Sequence, residues 1–355
     1  MTHRFEARLH FTGKLATKIY QRIAAVDAVK GQWRIANTLS PQMVRRLKTS
    51  VIVTSTGAST RIEGSHLSDN EIKALFNKQN IKAFKTRDEQ EVGGYLELLT
   101  LVFEQWRDIP FSESTILSFH QKMLKYSDKD KRHKGGYKFG SNRVEARDSE
   151  GKLVGVIFDP TPPHLVPKEM LELIEWTQAE LKNDNFPVIL IIANFVFEFL
   201  AIHPFQDGNG RLSRILTNLL LLQAGYEFTP FVSHEKIIED NKADYYLALN
   251  QTQQSWKTKA EDLSGWVLFF LDVLNVQSQS ALKLMQDEPV DLFLSDMQQQ
   301  VWDYANTQDT FSRGGAIKAT GLNPRTVSHA LRKLMDMNKL ERLGQGRATR
   351  YRVRS

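Results

Sequence analysis

Cysteine is missing altogether from the 355 residues. Its absence excludes disulfides, zinc–thiolate centres and thiol nucleophiles, and it is compatible with a reducing compartment. A membrane-spanning run is missing as well. The longest apolar stretch, Val188–Ile202, is short and is interrupted by Asn194 and Glu198. The amino terminus, Met-Thr-His-Arg-Phe-Glu-Ala-Arg, has no signal-peptide pattern. A cytoplasmic protein with no membrane partner is therefore expected. Hydrophobic residues are not scarce: at 41% they support an ordinary core, and the length leaves room for two domains.

Apolar positions recur with helical spacing near residues 14–28, 41–61, 68–77, 89–106, 112–125, 167–182, 188–202, 209–224, 234–252 and 262–285. Start and stop signals agree with several of these bounds. Ser68-Asp-Asn-Glu71 has the form of a capping box, Ser112 precedes Glu113 and an apolar run, and Gly225 closes the segment before it. The fold predicted is mainly α. Between residues 135 and 163 the pattern changes: Gly135-Gly136 is followed by β-like pieces at 142–146 and 152–158 around the turn-prone Asp148-Ser-Glu-Gly151. A hairpin is the simplest reading.

The densest chemistry lies in His203-Pro-Phe-Gln-Asp-Gly-Asn-Gly-Arg-Leu-Ser-Arg214, between the apolar runs at 188–202 and 212–222. Its setting predicts a loop joining two buried helices. Gly208 and Gly210 allow positive φ and close main-chain approach, while the helix beginning near Asn209 offers unpaired N–H groups and the positive end of its dipole. Such an arrangement suits phosphate. Arg211 and Arg214 share a face of the first turn, where their charge is unfavourable unless an anion is near. Asp207 is a hard oxygen ligand of the kind Mg²⁺ takes singly or in pairs, leaving substrate phosphates to complete its shell. His203 can serve as a general base toward a hydroxyl, and Phe205 is the expected apolar pin. One at a time these residues read as a helix-end histidine, a turn and a solvated basic face. Their combination in a helix–loop–helix setting favours the phosphate reading.

The twelve residues resemble the Fic-domain signature, His-x-Phe-x-(Asp/Glu)-Gly-Asn-Gly-Arg-x-x-Arg, at every defined position. The resemblance covers roughly residues 40–275. It implies a Fic-type helical bundle with a short β-hairpin flap, and transfer of AMP from Mg-ATP to a protein hydroxyl with pyrophosphate leaving. It further implies that His203 deprotonates a target Ser, Thr or Tyr, that Asp207 holds Mg²⁺, and that Gly208, Asn209, Gly210, Arg211, Leu212, Ser213 and Arg214 bind the nucleotide. In that scheme Asn209 and the loop amides take the α- and β-phosphates, and the two arginines the β- and γ-phosphates. Doc-like kinases of the same fold carry lysine where this chain has Gly210, so glycine favours nucleotidyl transfer.

Ser59-Thr-Arg-Ile-Glu63-Gly64 is similar to the family's inhibitory motif, (Ser/Thr)-x-x-x-Glu-(Gly/Asn). The resemblance implies that Glu63 pairs with Arg214 and keeps the γ-phosphate from docking; the residues alone also describe a solvated glutamate before a C-capping glycine. The hairpin would correspond to the flap on which Fic-like proteins align a target as an added strand, with an undedicated surface loop as the alternative. Asn241-Lys-Ala-Asp-Tyr245-Tyr246 resembles the segment bordering the nucleotide. It makes Asn241 the candidate adenosine contact and Tyr245 and Tyr246 candidate walls, one of them core because neighbours on a helix face different ways.

Composition shifts after Asp287-Glu-Pro289. Residues 311–355 hold eight Arg and three Lys against one Asp and one Glu, a net +9, while the whole chain carries only +6. Residues 317–334 read as helix, Gly321 turn, and helix with Pro324 at its start; residues 340–353 alternate around a Gly-x-Gly turn. This resembles a winged helix-turn-helix domain, with Arg325, Ser328, His329 and Arg332 on the exposed face of the second helix and Arg347 and Arg350 on the wing. The organisation expected is a helical region at 1–110 with the inhibitory motif at 59–64, a catalytic core at 111–286 with its flap at about 135–163, and the winged helix at 287–355. Two roles compete for the last part: DNA contact, which weakens steeply with salt, and docking on protein, which does not. For the whole chain three readings follow. They are a protein adenylyltransferase acting on a target protein or itself, a DNA-binding regulator whose nucleotide site senses, and removal of AMP from a modified protein with Glu63 orienting water. A homodimer stays open.

Overall fold

The computed structural model describes residues 4–33, 41–77, 84, 86–127, 132–142, 144–147, 153–286, 294–344, 346 and 349–354. They are mostly helical. From the amino end, α1 (Arg4–Ala7), α2 (Gly13–Gln32), α3 (Pro41–Ile62), α4 (Asp69–Asn77), α5 (Arg87–Gln105) and α6 (Glu113–Met123) lead to a hairpin of β1 (Val144–Arg147) and β2 (Leu153–Phe158). Then come α7 (Val166–Asn183), α8 (Val188–Ile202), α9 (Asn209–Gln223), α10 (His234–Asp240), α11 (Lys242–Gln254) and α12 (Ser264–Gln286). The remainder is α13 (Asp296–Asn306), α14 (Arg313–Thr320), α15 (Pro324–Asp336), β3 (Leu340–Leu343) and β4 (Arg350–Val353). The chain forms two compact units, Met1–Trp33 with Thr49–Leu282, and Arg34–Lys48 with Lys283–Ser355.

In the first unit α8 is apolar apart from Asn194 and Glu198 and is buried along nearly its whole length, and α9 is buried almost throughout, so this pair forms the centre. Residues on both sides of position 110 contribute to one core, among them Ile19, Leu99, Ile116, Leu190 and Leu216. The two polar residues of α8 are buried with partners. Arg8 donates to Asn194 Oδ1 at 2.7 Å and to Glu198 Oε2 at 2.7 Å, and Trp256 Nε1 donates to Glu198 Oε2 at 3.1 Å. Such pairing is what allows a carboxylate to stay charged inside a core.

Local signals account for several helix starts. Ser68 and Glu71 form the expected reciprocal cap, and Ser112 accepts from Thr115 N at 3.2 Å. A second box, Thr86 with Glu89, opens α5. One expectation fails: residues 234–252 are two helices, α10 and α11, because Asn241 leaves helical geometry (φ −117°, ψ 33°) and folds its side chain back onto Ile237 O at 2.8 Å. The hairpin pairs β1 and β2 antiparallel, Glu145 opposite Val156 and Ala146 opposite Gly155; the expected turn at 148–151 lies outside the described residues.

The second unit packs α13, α14 and α15 around Val301, Ala305, Phe311, Val327, Leu331 and Leu334. A helix, an αL glycine (Gly321, φ 68°) and a second helix are followed by a hairpin pairing Leu340 with Val353 and Leu343 with Arg350. Arg347 lies outside the described residues. No helix among the described residues is long and apolar enough to cross a membrane.

Candidate active site

The loop between α8 and α9 is bent by its first residue. His203 ends α8 in the left-handed region (φ 52°, ψ 60°), a conformation costing a non-glycine residue about 1–3 kcal/mol unless its surroundings impose it. They do so with hydrogen bonds to the carbonyls that a helix end leaves without partners. Lys138 donates its main-chain N–H to Pro204 O at 2.8 Å and its amine to Ile202 O at 3.2 Å. Asn142 accepts a third Lys138 bond at 2.7 Å and donates to His203 O at 3.1 Å and Phe205 O at 2.7 Å. The approach to β1 is thus tied to the loop carrying His203.

Burial pushes the His203 imidazole down to about 4, so the ring is neutral at ordinary pH. Its Nδ1 lies 3.2 Å from Leu200 O, an acceptor only, so Nδ1 carries the hydrogen and Nε2 keeps the lone pair. That is the form a general base needs. Phe205 is wholly buried as the pin, and His120 stacks on it at 3.8 Å. Gly135 N donates to His120 Nδ1 at 2.9 Å, which leaves Nε2–H to donate to Asp207 O at 3.1 Å. His120 therefore fixes the middle of the loop from outside it.

Gly208 (φ 83°) turns the chain into α9, whose first-turn N–H groups open toward the loop. A Cβ on Gly208 would run into Met123. The Asn209 side chain closes the loop: its Oδ1 accepts from Phe205 N at 2.9 Å and its Nδ2 donates to Phe205 O at 2.7 Å. Leu212 is buried with its N–H donated to Gly208 O at 2.9 Å, and Ser213 Oγ donates to Gly210 O at 2.8 Å, so both residues are engaged within α9.

Both arginines are buried and held by carboxylates. Arg211 pairs with Glu91 at 2.7 Å and Asp207 at 3.0 Å. Arg214 donates to Ser59 Oγ at 2.7 Å, Ser59 O at 2.9 Å and Glu63 Oε1 at 2.7 Å. Burial opposes the Arg214 charge, and the adjacent Glu63 carboxylate more than offsets it, so its pKa is raised. Arg211 Nε and Arg214 Nη1 remain buried without a hydrogen-bond partner, donors that suit an anion. Asp207 also accepts from Gly208 N at 2.5 Å, and its other oxygen lies 3.7 Å from Arg87. Among the described residues no three acidic or histidine side chains gather as a metal cage. One partly exposed carboxylate fits a Mg²⁺ whose shell substrate phosphates complete.

Glu63 stands at the end of α3 inside a Schellman motif: Gly64 (φ 100°) donates to Arg61 O at 3.1 Å and Ser65 N to Thr60 O at 3.0 Å. The glycine caps the helix, as the residues alone described, while the glutamate meets Arg214 instead of standing free in solvent. A carboxylate at a helix C-terminus opposes the dipole, and the guanidinium compensates. Arg61 anchors the segment on Glu239 at 2.6 Å and Asp69 at 2.9 Å.

Glu63, His203, Gly210, Tyr246, Asn250 and Gln253 border one cavity of about 290 Å³, with Tyr245 behind them. Tyr245 is the core tyrosine and Tyr246 the exposed one. Asn241 is not brought there; it lines a separate groove with Asp244 and Leu247. Asn250 and Gln253, further along α11, occupy the cavity wall instead, and sequence reading missed them together with His120, Lys138, Asn142 and Glu91.

The Fic/DOC family matches residues 110–221. A Fido domain-containing protein of Dictyostelium discoideum is 32% identical over 110 residues, 31% of this chain and 72% of that protein. The chain belongs to the Fic/DOC family. A probable protein adenylyltransferase of Aquifex aeolicus (strain VF5) is 38% identical over 92 residues, 26% of this chain and 28% of that protein. The chain thus spans little more than a quarter of that relative's length. In structure, a Fic family protein from Desulfovibrio desulfuricans G20 superposes with a TM-score of 0.64 at 22% identity, covering 97% of both chains, which shows the Fic fold.

Proposed function

We propose that this Fic/DOC protein is a protein adenylyltransferase that moves AMP from Mg-ATP to a Ser, Thr or Tyr hydroxyl of a target protein, itself included, and that Glu63 holds it mostly off. The observation carrying this reading is the shared cavity: a neutral His203, Gly210 of the opening turn of α9, and Glu63, which pairs with Arg214 at 2.7 Å, all border it. His203 Nε2 takes the hydroxyl proton as the oxygen bonds to the α-phosphorus. The bond from that phosphorus to its bridging oxygen breaks, pyrophosphate leaves, and the proton stays on the imidazole until solvent removes it. The α9 amides, Arg211 and Arg214 offset the phosphate charge. Asp207 is the residue that would hold Mg²⁺, which supplies further neutralisation of that charge. Among the described residues neither hairpin strand pairs with a third, which leaves an edge on which a target segment can lie.

Arg214 has one guanidinium for two anions, Glu63 and the γ-phosphate, and this competition supports the inhibitory role. Incubating the parent chain, Glu63→Gly and His203→Ala with ATP labelled at the α-phosphate, in the presence of a lysate, tests both parts. Glu63→Gly is expected to label protein at least several-fold more than the parent, and His203→Ala about a hundredfold or more below Glu63→Gly. Equal labelling by parent and Glu63→Gly overturns the inhibition. No label on any protein with Glu63→Gly overturns the transferase reading in favour of nucleotide sensing, and AMP released from a pre-labelled protein favours the reverse reaction.

A further inference from the structure

The second unit has a surface that the nucleotide chemistry does not use. α15 turns Val327, Ala330, Leu331 and Leu334 into its core, each at most 1% exposed, and sets Arg325, Ser328, His329 and Arg332 along the opposite stripe. Arg325 and Arg332 are exposed, and among the described residues neither side chain forms a hydrogen bond or ion pair. On the hairpin, Arg342 and Arg350 are exposed and, among the described residues, hydrogen-bond only to Thr349. Of the unit's carboxylates, Asp296 pairs with Arg46 and Glu341 with Arg352, while exposed Asp336, one turn beyond Arg332 on α15, makes no ion pair with it among the described residues.

Protein interfaces concentrate their energy in apolar and aromatic anchors at the centre of the contact. This unit offers almost none: Met297, on α13, is the one large apolar side chain among its described residues that stands exposed. What it offers is unneutralised positive charge on a helix and an adjoining hairpin. Asn323 caps α15 and Pro324 opens it, which puts Arg325 in the first turn, the part of a helix-turn-helix second helix that reaches base edges.

We propose that this surface binds duplex DNA, with α15 entering the major groove through Arg325 and Arg332, and Arg342 and Arg350 against flanking phosphates. The proposal is independent of the nucleotide chemistry. Fluorescence anisotropy of the full chain with a random-sequence duplex of about 25 base pairs, between about 50 and 300 mM salt, tests it. Binding is expected at the low end and falls linearly in log–log form by about 0.9 per phosphate contacted. Arg325→Ala combined with Arg332→Ala is expected to weaken binding about tenfold or more at low salt and to reduce the slope by about two, with unchanged melting temperature. No binding at about 50 mM salt, a slope near zero, or a double variant that binds like the parent overturns the proposal. Tighter binding of single-stranded RNA of equal length overturns the duplex assignment.

Discussion

Arginine is used in two ways in this molecule. In the first unit Arg8, Arg211 and Arg214 are at most 5% exposed, and each meets a carboxylate of the same chain: Glu198, Glu91 and Glu63. In the second, Arg325 and Arg332 face solvent, and among the described residues neither forms an ion pair with a carboxylate. A guanidinium taken out of water must find its anion inside the fold, so it locks whatever it touches; one left in water is available to an anion from outside. Arg214 belongs to the first kind by position, yet its proposed role needs it to behave like the second. Only if Glu63 withdraws can it do so.

The comparison can be broken most sharply at Arg8. Arg8→Ala strips Glu198 and Asn194 of a buried donor, and chemical unfolding should show a loss of about 3–5 kcal/mol. A loss below about 1 kcal/mol would mean that buried pairing does not set the first unit apart. Next is Asn142, whose amide donates to His203 O and Phe205 O. In the Glu63→Gly background Asn142→Ala should lower kcat about tenfold and move KM for ATP little, since two hydrogen bonds of about 1 kcal/mol each position the base rather than the nucleotide. An unchanged kcat would remove Asn142 from that role.

A smaller effect concerns pH. Because the folded-state value of His203 is about 4 against an ordinary 6.5, the neutral base persists as pH falls, and this residue should leave the transfer rate flat from neutrality to near pH 5. The same depression means that His203's contribution to stability, full above 6.5, is lost as pH falls toward 4. A rate that halves near 6.5 would show an exposed imidazole instead. Smallest of all is Arg325→Ala, which should change unfolding free energy by less than about 0.5 kcal/mol because nothing in the chain depends on it.

The central loop was legible in sequence because its chemistry is contiguous: base, glycines, carboxylate and arginines occur within twelve residues, and the helices on either side announce themselves by periodicity. What holds the loop was not. Asn142 reaches His203 across 61 positions and Arg8 reaches Glu198 across 190, contacts that no local pattern encodes. Glu91 and His120 looked like ordinary helix residues until the packing brought them under the loop. Asn241 failed for a different reason. The break between α10 and α11 carries neither glycine nor proline, so periodicity ran through it, and the resemblance that made Asn241 the candidate adenosine contact could not show that it lines a separate groove. Asn209 shows the limit of resemblance, since its amide satisfies the main chain of Phe205, which a motif cannot display.

Gly210 permits one more conclusion. A Cβ at this position would collide with Glu63 Oε1, and Arg214 lies immediately beyond. Any side chain there requires the Glu63 carboxylate to shift and brings bulk toward Arg214 in the same step. On the proposed reading, a single inherited change at residue 210 would therefore touch the transfer chemistry and its restraint together.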